Sequence, residues 1–142
     1  MYKKILIPLE NSECDAIILE HIKRLAKLTK SKLILVHVAD GFAALLQDQL
    51  NLEDSEEIIK DRKYLKEKED ELIAAGFSVK SYLASGDPSD KILKIVEKEE
   101  CDLIAMSTHG HRFIKDIFLG SVADTLRHKT SIPILMIRAK LE

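Results

Sequence analysis

Short runs of Ile, Leu and Val recur along this chain, and longer amphipathic stretches separate them. They are Ile5 to Ile7, Leu33 to Val38, Leu103 to Met106 and Ile134 to Ile137. A run that is apolar at nearly every position has no polar side to offer water. Each therefore reads as a strand buried on both faces, as in a parallel sheet covered by helices.

The stretches between the runs carry helical periodicity. From Ser12 to Lys30, Ile18, Ile22 and Leu25 fall on one face, with Ser12 placed as an N-cap. From Ser55 to Ala75, Ile58, Leu65 and Leu72 recur with Ile59 and Ile73 beside them, and Gly76 is a suitable stop. Asp87-Pro88-Ser89-Asp90 opens another helix: Asp87 caps, Pro88 takes the first helical position, and Ile92, Ile95 and Val96 face inward. Phe77 to Leu83 alternates apolar and polar residues instead, the mark of a strand less covered on one side. Pro133 lacks a ladder donor and suits a strand start or an edge.

Strands three and five are thus the expected edges. Alternating strands and helices then give an α/β fold with a single open five-stranded parallel sheet. Its order is 3-2-1-4-5, with helices on both faces, a Rossmann-like architecture. In that order the chain leaves strands one and four in opposite directions. Ligands of open α/β sheets bind in the crevice beyond the strand ends at such a switch point. The loops there are Pro8 to Ser12 and Ser107 to Arg112.

A length of 142 residues suits one domain spanning 1–142, and 46% hydrophobic residues suffice for its core. The 22 basic and 24 acidic residues are interspersed, with no basic stripe for a nucleic acid. Cys14 and Cys101 form neither a disulfide framework nor a zinc pattern, which fits a reducing cytoplasm. The apolar run at the N-terminus is too short for a signal segment, and no stretch is long enough to span a bilayer. The expectation is a cytoplasmic protein with neither nucleic-acid nor membrane partners.

At the fourth loop, Met106-Ser107-Thr108-His109-Gly110 and Leu119-Gly120-Ser121-Val122 place two glycine-containing turns next to expected helix starts. Helix N-termini offer free N–H groups and a positive dipole end to anions, and glycine lets an oxyanion approach the backbone. A nucleotide is the first ligand to consider. The spacing Gly110, nine residues, Gly120-Ser121 resembles the G-x-x-G-x9-G-S/T signature of the universal stress protein family, with Ser107 where the family has its first glycine. The resemblance extends to Ile5-Leu6-Ile7-Pro8, Leu35-Val36-His37-Val38, Gly86-Asp87-Pro88, Asp102-Leu103-Ile104 and Ile132-Pro133-Ile134-Leu135, nearly the whole chain.

The resemblance implies an adenine nucleotide alpha hydrolase-like fold and a stress-response regulator that binds ATP, or ADP or AMP, with Mg or Mn on the phosphates as an option. By position, Pro8, Glu10 and Val38 would line the adenosine end. Met106, Ser107 and Gly110 would flank the ribose and the start of the phosphate chain, and Gly120, Ser121 and Val122 would surround the phosphates. Glu10 stands where the family usually has Asp, one methylene shorter. The serine hydroxyl at position 107 has the chemistry to donate to a ribose or phosphate oxygen.

Two functional readings stay open: a nucleotide-dependent regulator with at most weak ATPase activity, and a dimeric interaction module of the same family without nucleotide. Both include an unidentified protein partner. A homodimer through the last strand is expected, because Ile134 to Ile137 is apolar on both faces yet lies at an edge. Residues 41–54 are too apolar for a plain loop and either pack against the domain or a sister subunit or form a lid. His109-x-His111 lacks a third metal ligand nearby, and His21, His37 and His128 belong to no constellation visible in the sequence. Cys14 lies where a helix dipole lowers a thiol pKa, but reads as an inert buried cysteine. No Ser-His-Asp ordering or Walker-type sequence is present.

Overall fold

The computed structural model describes residues 1–39, 56–109 and 116–139. Five strands alternate with helices in chain order: β1 (Lys4–Pro8), α1 (Cys14–Thr29), β2 (Lys32–Ala39), α2 (Glu56–Ala74), β3 (Val79–Ser85), α3 (Pro88–Glu99), β4 (Leu103–His109), α4 (Asp116–Lys129) and β5 (Ile134–Ala139). All strand pairs are parallel and the order is β3-β2-β1-β4-β5, as the burial pattern of the runs requires. The segment 41–54, Gly110, His111, Arg112 and Lys115 lie outside the described residues.

Alternation along the central strands feeds two core layers. On one face Leu6, Ile34, Val36, Val38, Ile104 and Met106 pack against Ile92, Ile95 and Val96 of α3 and Val122, Ala123 and Leu126 of α4. On the other, Ile5, Ile7, Leu33, Leu35, Leu103 and Ala105 meet Ile18, Leu19, Ile22 and Ala26 of α1 and Leu65 and Leu72 of α2. Each helix supplies its apolar stripe, and burying one such side chain is worth roughly 1.5–3 kcal/mol. On α2 the stripe is narrow: Leu65 and Leu72 are buried, while Ile59 and Ile73 are exposed.

Local signals set most boundaries. Asp87 accepts a hydrogen bond from the Asp90 amide at 3.0 Å, with Pro88 at the first helical position of α3. Gly76, at φ +96°, reverses the chain after α2, and the Phe77 amide returns to the Leu72 carbonyl at 3.1 Å. That is a Schellman-type closure. At the opposite end of the sheet from the crevice, Glu99 holds Lys80 at 2.8 Å and Lys4 at 3.7 Å and accepts the Tyr82 hydroxyl. The Glu99 carboxyl is pulled down to about 2, first by Lys80 and then by Tyr82, against the opposing effect of burial.

Two helix starts differ from the sequence reading. Helix α1 begins at Cys14 with Glu13 as its cap residue, so Ser12 is not the N-cap; its hydroxyl accepts the Cys14 amide at 3.3 Å. Glu13 makes no side-chain cap contact, and the buried Asp15 reaches back from the first turn to tie down the Glu10, Asn11 and Ser12 amides of the preceding loop. Helix α4 begins at Asp116, so Gly120 and Ser121 lie in its second turn and not at its start.

Candidate functional site

The crevice forms where β1 and β4 part. Ile5 and Leu6 of β1 pair with Leu103 and Ile104 of β4. Beyond the Leu6–Ile104 pair the two strands no longer pair, β1 ending at Pro8 next to the loop leading to α1 and β4 running on to His109. On the other side of β1, Pro8 pairs with Val36, and the Leu9 amide donates to the Val36 carbonyl at 2.7 Å. Three expected site residues, Val38, Met106 and Val122, share the core cluster on the α3 and α4 side and are all buried. Glu10 sits in the β1–α1 loop, where its carboxylate accepts the Ser12 hydroxyl at 3.1 Å.

Ser107 faces the other way. Met106 belongs to the α3 and α4 layer and Ala105 to the α1 and α2 layer, so alternation turns the Ser107 side chain toward α1. It is fully buried, and its Oγ has no hydrogen-bond partner among the described residues. The chemistry expected of that hydroxyl toward a ribose or phosphate therefore has no support in its direction. The α4 start at Asp116 likewise places the Gly120, Ser121 and Val122 amides past the first turn, where N–H groups bond back within the helix. The amides that the helix itself leaves open toward an anion are those at its start, 116–118.

A polar network beneath the β1–α1 loop is what the sequence reading missed. Asp15 Oδ1 accepts the Glu10 amide at 3.0 Å, and its Oδ2 accepts the Asn11 amide at 2.9 Å, the Ser12 amide at 3.3 Å and the Tyr64 hydroxyl at 2.6 Å. Burial, followed by the hydrogen bond to Asp15, pushes the Tyr64 phenol well above its ordinary range, so it stays a donor. Asn11, in the left-handed region at φ 61°, which asparagine tolerates well, donates from Nδ2 to Asp61 Oδ1 at 3.0 Å. Asp61 Oδ2 lies 3.2 Å from His37 Nε2, and His37 Nδ1 lies 2.7 Å from the Leu9 carbonyl. His37 thus does belong to a constellation. Its partner Asp61 is 24 positions away on another element, beyond the reach of any local motif.

Cys14 is buried, and burial, with help from the Glu10, Asp15 and Glu13 charges, raises its thiol pKa despite the lowering Ser12 contact. The helix start does not activate it. Among the described residues no group of three or more His, Cys, Asp or Glu is arranged to hold a metal ion. No described helix is long and apolar enough to cross a membrane.

The model of the universal stress protein family matches residues 1–138. The chain is 34% identical to universal stress protein MJ0577 of Methanocaldococcus jannaschii, across 99% of this chain and 97% of that one. The solved structure of MJ0577 superposes with a TM-score of 0.78, covering 100% of this chain and 99% of that one. The universal stress protein of Archaeoglobus fulgidus in complex with dAMP shares the fold at TM-score 0.70 and 19% identity, with 96% and 98% of the two chains covered. A universal stress protein in complex with cAMP does so at TM-score 0.69 and 18% identity, with 98% of each chain covered.

Proposed function

The chain belongs to the universal stress protein family, and from that premise we propose that it is a cytoplasmic regulator that binds an adenine nucleotide, ATP foremost, in the crevice between β1 and β4. The observation that carries the reading is the switch point itself, where the order β3-β2-β1-β4-β5 lets β1 and β4 part after the Leu6–Ile104 pair, and the sequence positions Pro8, Glu10, Val38 and Met106 belong to the strands and the loop on either side of it. Two family members of the same fold are known in complex with dAMP and cAMP, which supports an adenine nucleotide as the ligand class.

In this reading the adenosine lies against Pro8, Glu10 and Val38, and the ribose against the backbone at Met106, Ser107 and Gly110. The phosphates reach the stretch that includes Gly120, Ser121 and Val122, and the first-turn amides of α4 are the donors that the helix leaves open. Mg or Mn rides on the phosphates. Nucleotide occupancy changes partner choice or dimer state, with hydrolysis slow at most. The homodimer forms through β5, an edge strand whose Met136 is exposed and whose Ile134, Leu135 and Ile137 are partly buried.

The interaction-module reading draws on two departures from the family pattern: Glu10 is one methylene longer than the usual Asp, and Ser107 puts a side chain where the family has glycine. Its burial on the α1 side keeps that side chain out of the crevice, which favours the nucleotide reading. Calorimetry with ATP, ADP and AMP, with and without Mg or Mn, tests the choice, together with mass spectrometry of any co-purifying ligand. Micromolar binding is expected. Absence of binding at millimolar nucleotide, with no co-purifying ligand, gives the case to the interaction module.

A further inference from the structure

His37 bridges two acceptors. The Leu9 carbonyl can only accept, so Nδ1 must carry a hydrogen, and on the far side Nε2 faces the Asp61 carboxylate. That second contact is a hydrogen bond only if Nε2 is also protonated or Asp61 holds the proton. Either way the pair contains one proton more than a neutral imidazole and a carboxylate together. Without it, two lone pairs face each other with both side chains only 12% and 11% exposed, and one contact must open.

What opens is the loop at the crevice. Leu9 and Asn11 flank Glu10, and both are tied to Asp61: Leu9 through His37, and Asn11 by its own amide. Among the described residues, the titratable groups of the network that adjoins the pair through Asn11 are Asp15 of α1 and Tyr64 of α2, with Glu10 in the loop itself. Asp15 is saturated by three backbone amides and the Tyr64 hydroxyl, and Glu10 is engaged with Ser12. The loop is thereby held from β2 and α2 by groups outside the glycine motif.

We propose that His37 and Asp61 are positioning residues that share one proton, and that this proton latches the β1–α1 loop into the shape that presents Glu10 to the crevice. Loss of the proton slackens the loop and weakens the bound nucleotide. The latter consequence rests on the nucleotide reading; the latch itself does not.

Nitrogen-15 NMR of the His37 ring and of the Glu10 and Asn11 amides, followed across pH in the full-length protein, reads the latch directly. The expected result is that the Glu10 and Asn11 amides shift together with the His37 ring nitrogens as the pair loses its shared proton, at one common midpoint. ATP titrations of wild type, His37→Gln and Asp61→Asn form the second arm, with circular dichroism checking each fold. Wild-type affinity is expected to fall about five-fold as the pair loses its proton, the worth of one hydrogen bond, and the variants should lose that dependence. The nucleotide's own titration cancels in the comparison. Amides that ignore the midpoint at which the pair loses its proton overturn the latch. Identical pH profiles in wild type and both variants overturn its link to the site. If no ATP binds at any pH the nucleotide reading fails, and the ring and loop amides alone decide the proposal.

Discussion

The Tyr64 hydroxyl donates to the Asp15 carboxylate across 2.6 Å, joining the middle of α2 to the first turn of α1 beneath the loop that borders the crevice. Asp15 is fully buried and also serves three backbone amides of that loop. The two residues therefore differ in how much structure each supports. Tyr64→Phe removes one of four donors and should cost about 1–2 kcal/mol. Asp15→Ala strands three amides and the phenol and should cost at least about 3 kcal/mol. Urea unfolding of both variants checks the ranking, and a Tyr64→Phe loss equal to that of Asp15→Ala would contradict it.

Gly76 closes α2 at φ +96°, and a Cβ there would meet nothing within 4 Å. Space is not the constraint; backbone conformation is. Gly76→Ala is expected to cost about 1–2 kcal/mol, the penalty of a left-handed conformation for an L-residue. Chemical denaturation measures it, and an unchanged midpoint would mean that the turn relaxes to another conformation.

Such a glycine is legible in the sequence because its signal is local, and the same holds for Asp87-Pro88 and the apolar runs. Strand order followed from two edge signals, Pro133 and the alternation after Phe77, and the switch point followed from the order. The α1 start was not legible: Ser12 has the favoured residue type, but the helix begins at Cys14 after Glu13, and Asp15 from inside the first turn holds the loop amides before it. The His37–Asp61 pair was hidden for a different reason. Its members lie on separate elements that only tertiary packing brings together. Ser107 shows the limit of a motif match, since position in a signature does not say which face of β4 its side chain takes.

Both cysteines are buried, and burial raises both thiols, Cys101 to about 11. A thiol protonated at neutral pH and shielded from solvent is a poor nucleophile. Neither should react with a thiol reagent such as a disulfide dye in the native protein, and both should react once it is denatured. Fast labelling of Cys14 in the native state would show that the helix start outweighs burial after all.

Glu99 gathers Lys80, Lys4 and Tyr82, and its folded-state pKa of about 2 lies below the ordinary 4.5. A depressed carboxylate contributes stability that is present above the ordinary value and lost as pH falls toward the folded one. Between about pH 4.5 and 2 this clasp should release, and Glu99→Gln should move the acid-unfolding midpoint upward. At neutral pH the same variant should cost about 1–2 kcal/mol, the scale of a hydrogen bond to a charged group. An acid transition identical to that of wild type would assign acid sensitivity to other carboxylates.

Ser107 gives the sharpest test, because stability and binding point to different origins for its hydroxyl. Its Oγ is buried without a partner among the described residues, and an unsatisfied buried polar atom costs about 1–3 kcal/mol. Ser107→Ala removes the hydroxyl, keeps the β4 backbone and leaves only a small void. The variant should be more stable than wild type by about 1 kcal/mol, read as a higher thermal midpoint. Since the side chain points toward α1 and away from the Met106 side of the sheet, ATP affinity should stay within about two-fold, less than half a kcal/mol. A stability loss would mean that the hydroxyl holds an internal water across to α1. A stability gain with a ten-fold loss of ATP affinity would mean that the nucleotide supplies the missing partner, and the ribose would then have to reach through the strand end to the α1 layer.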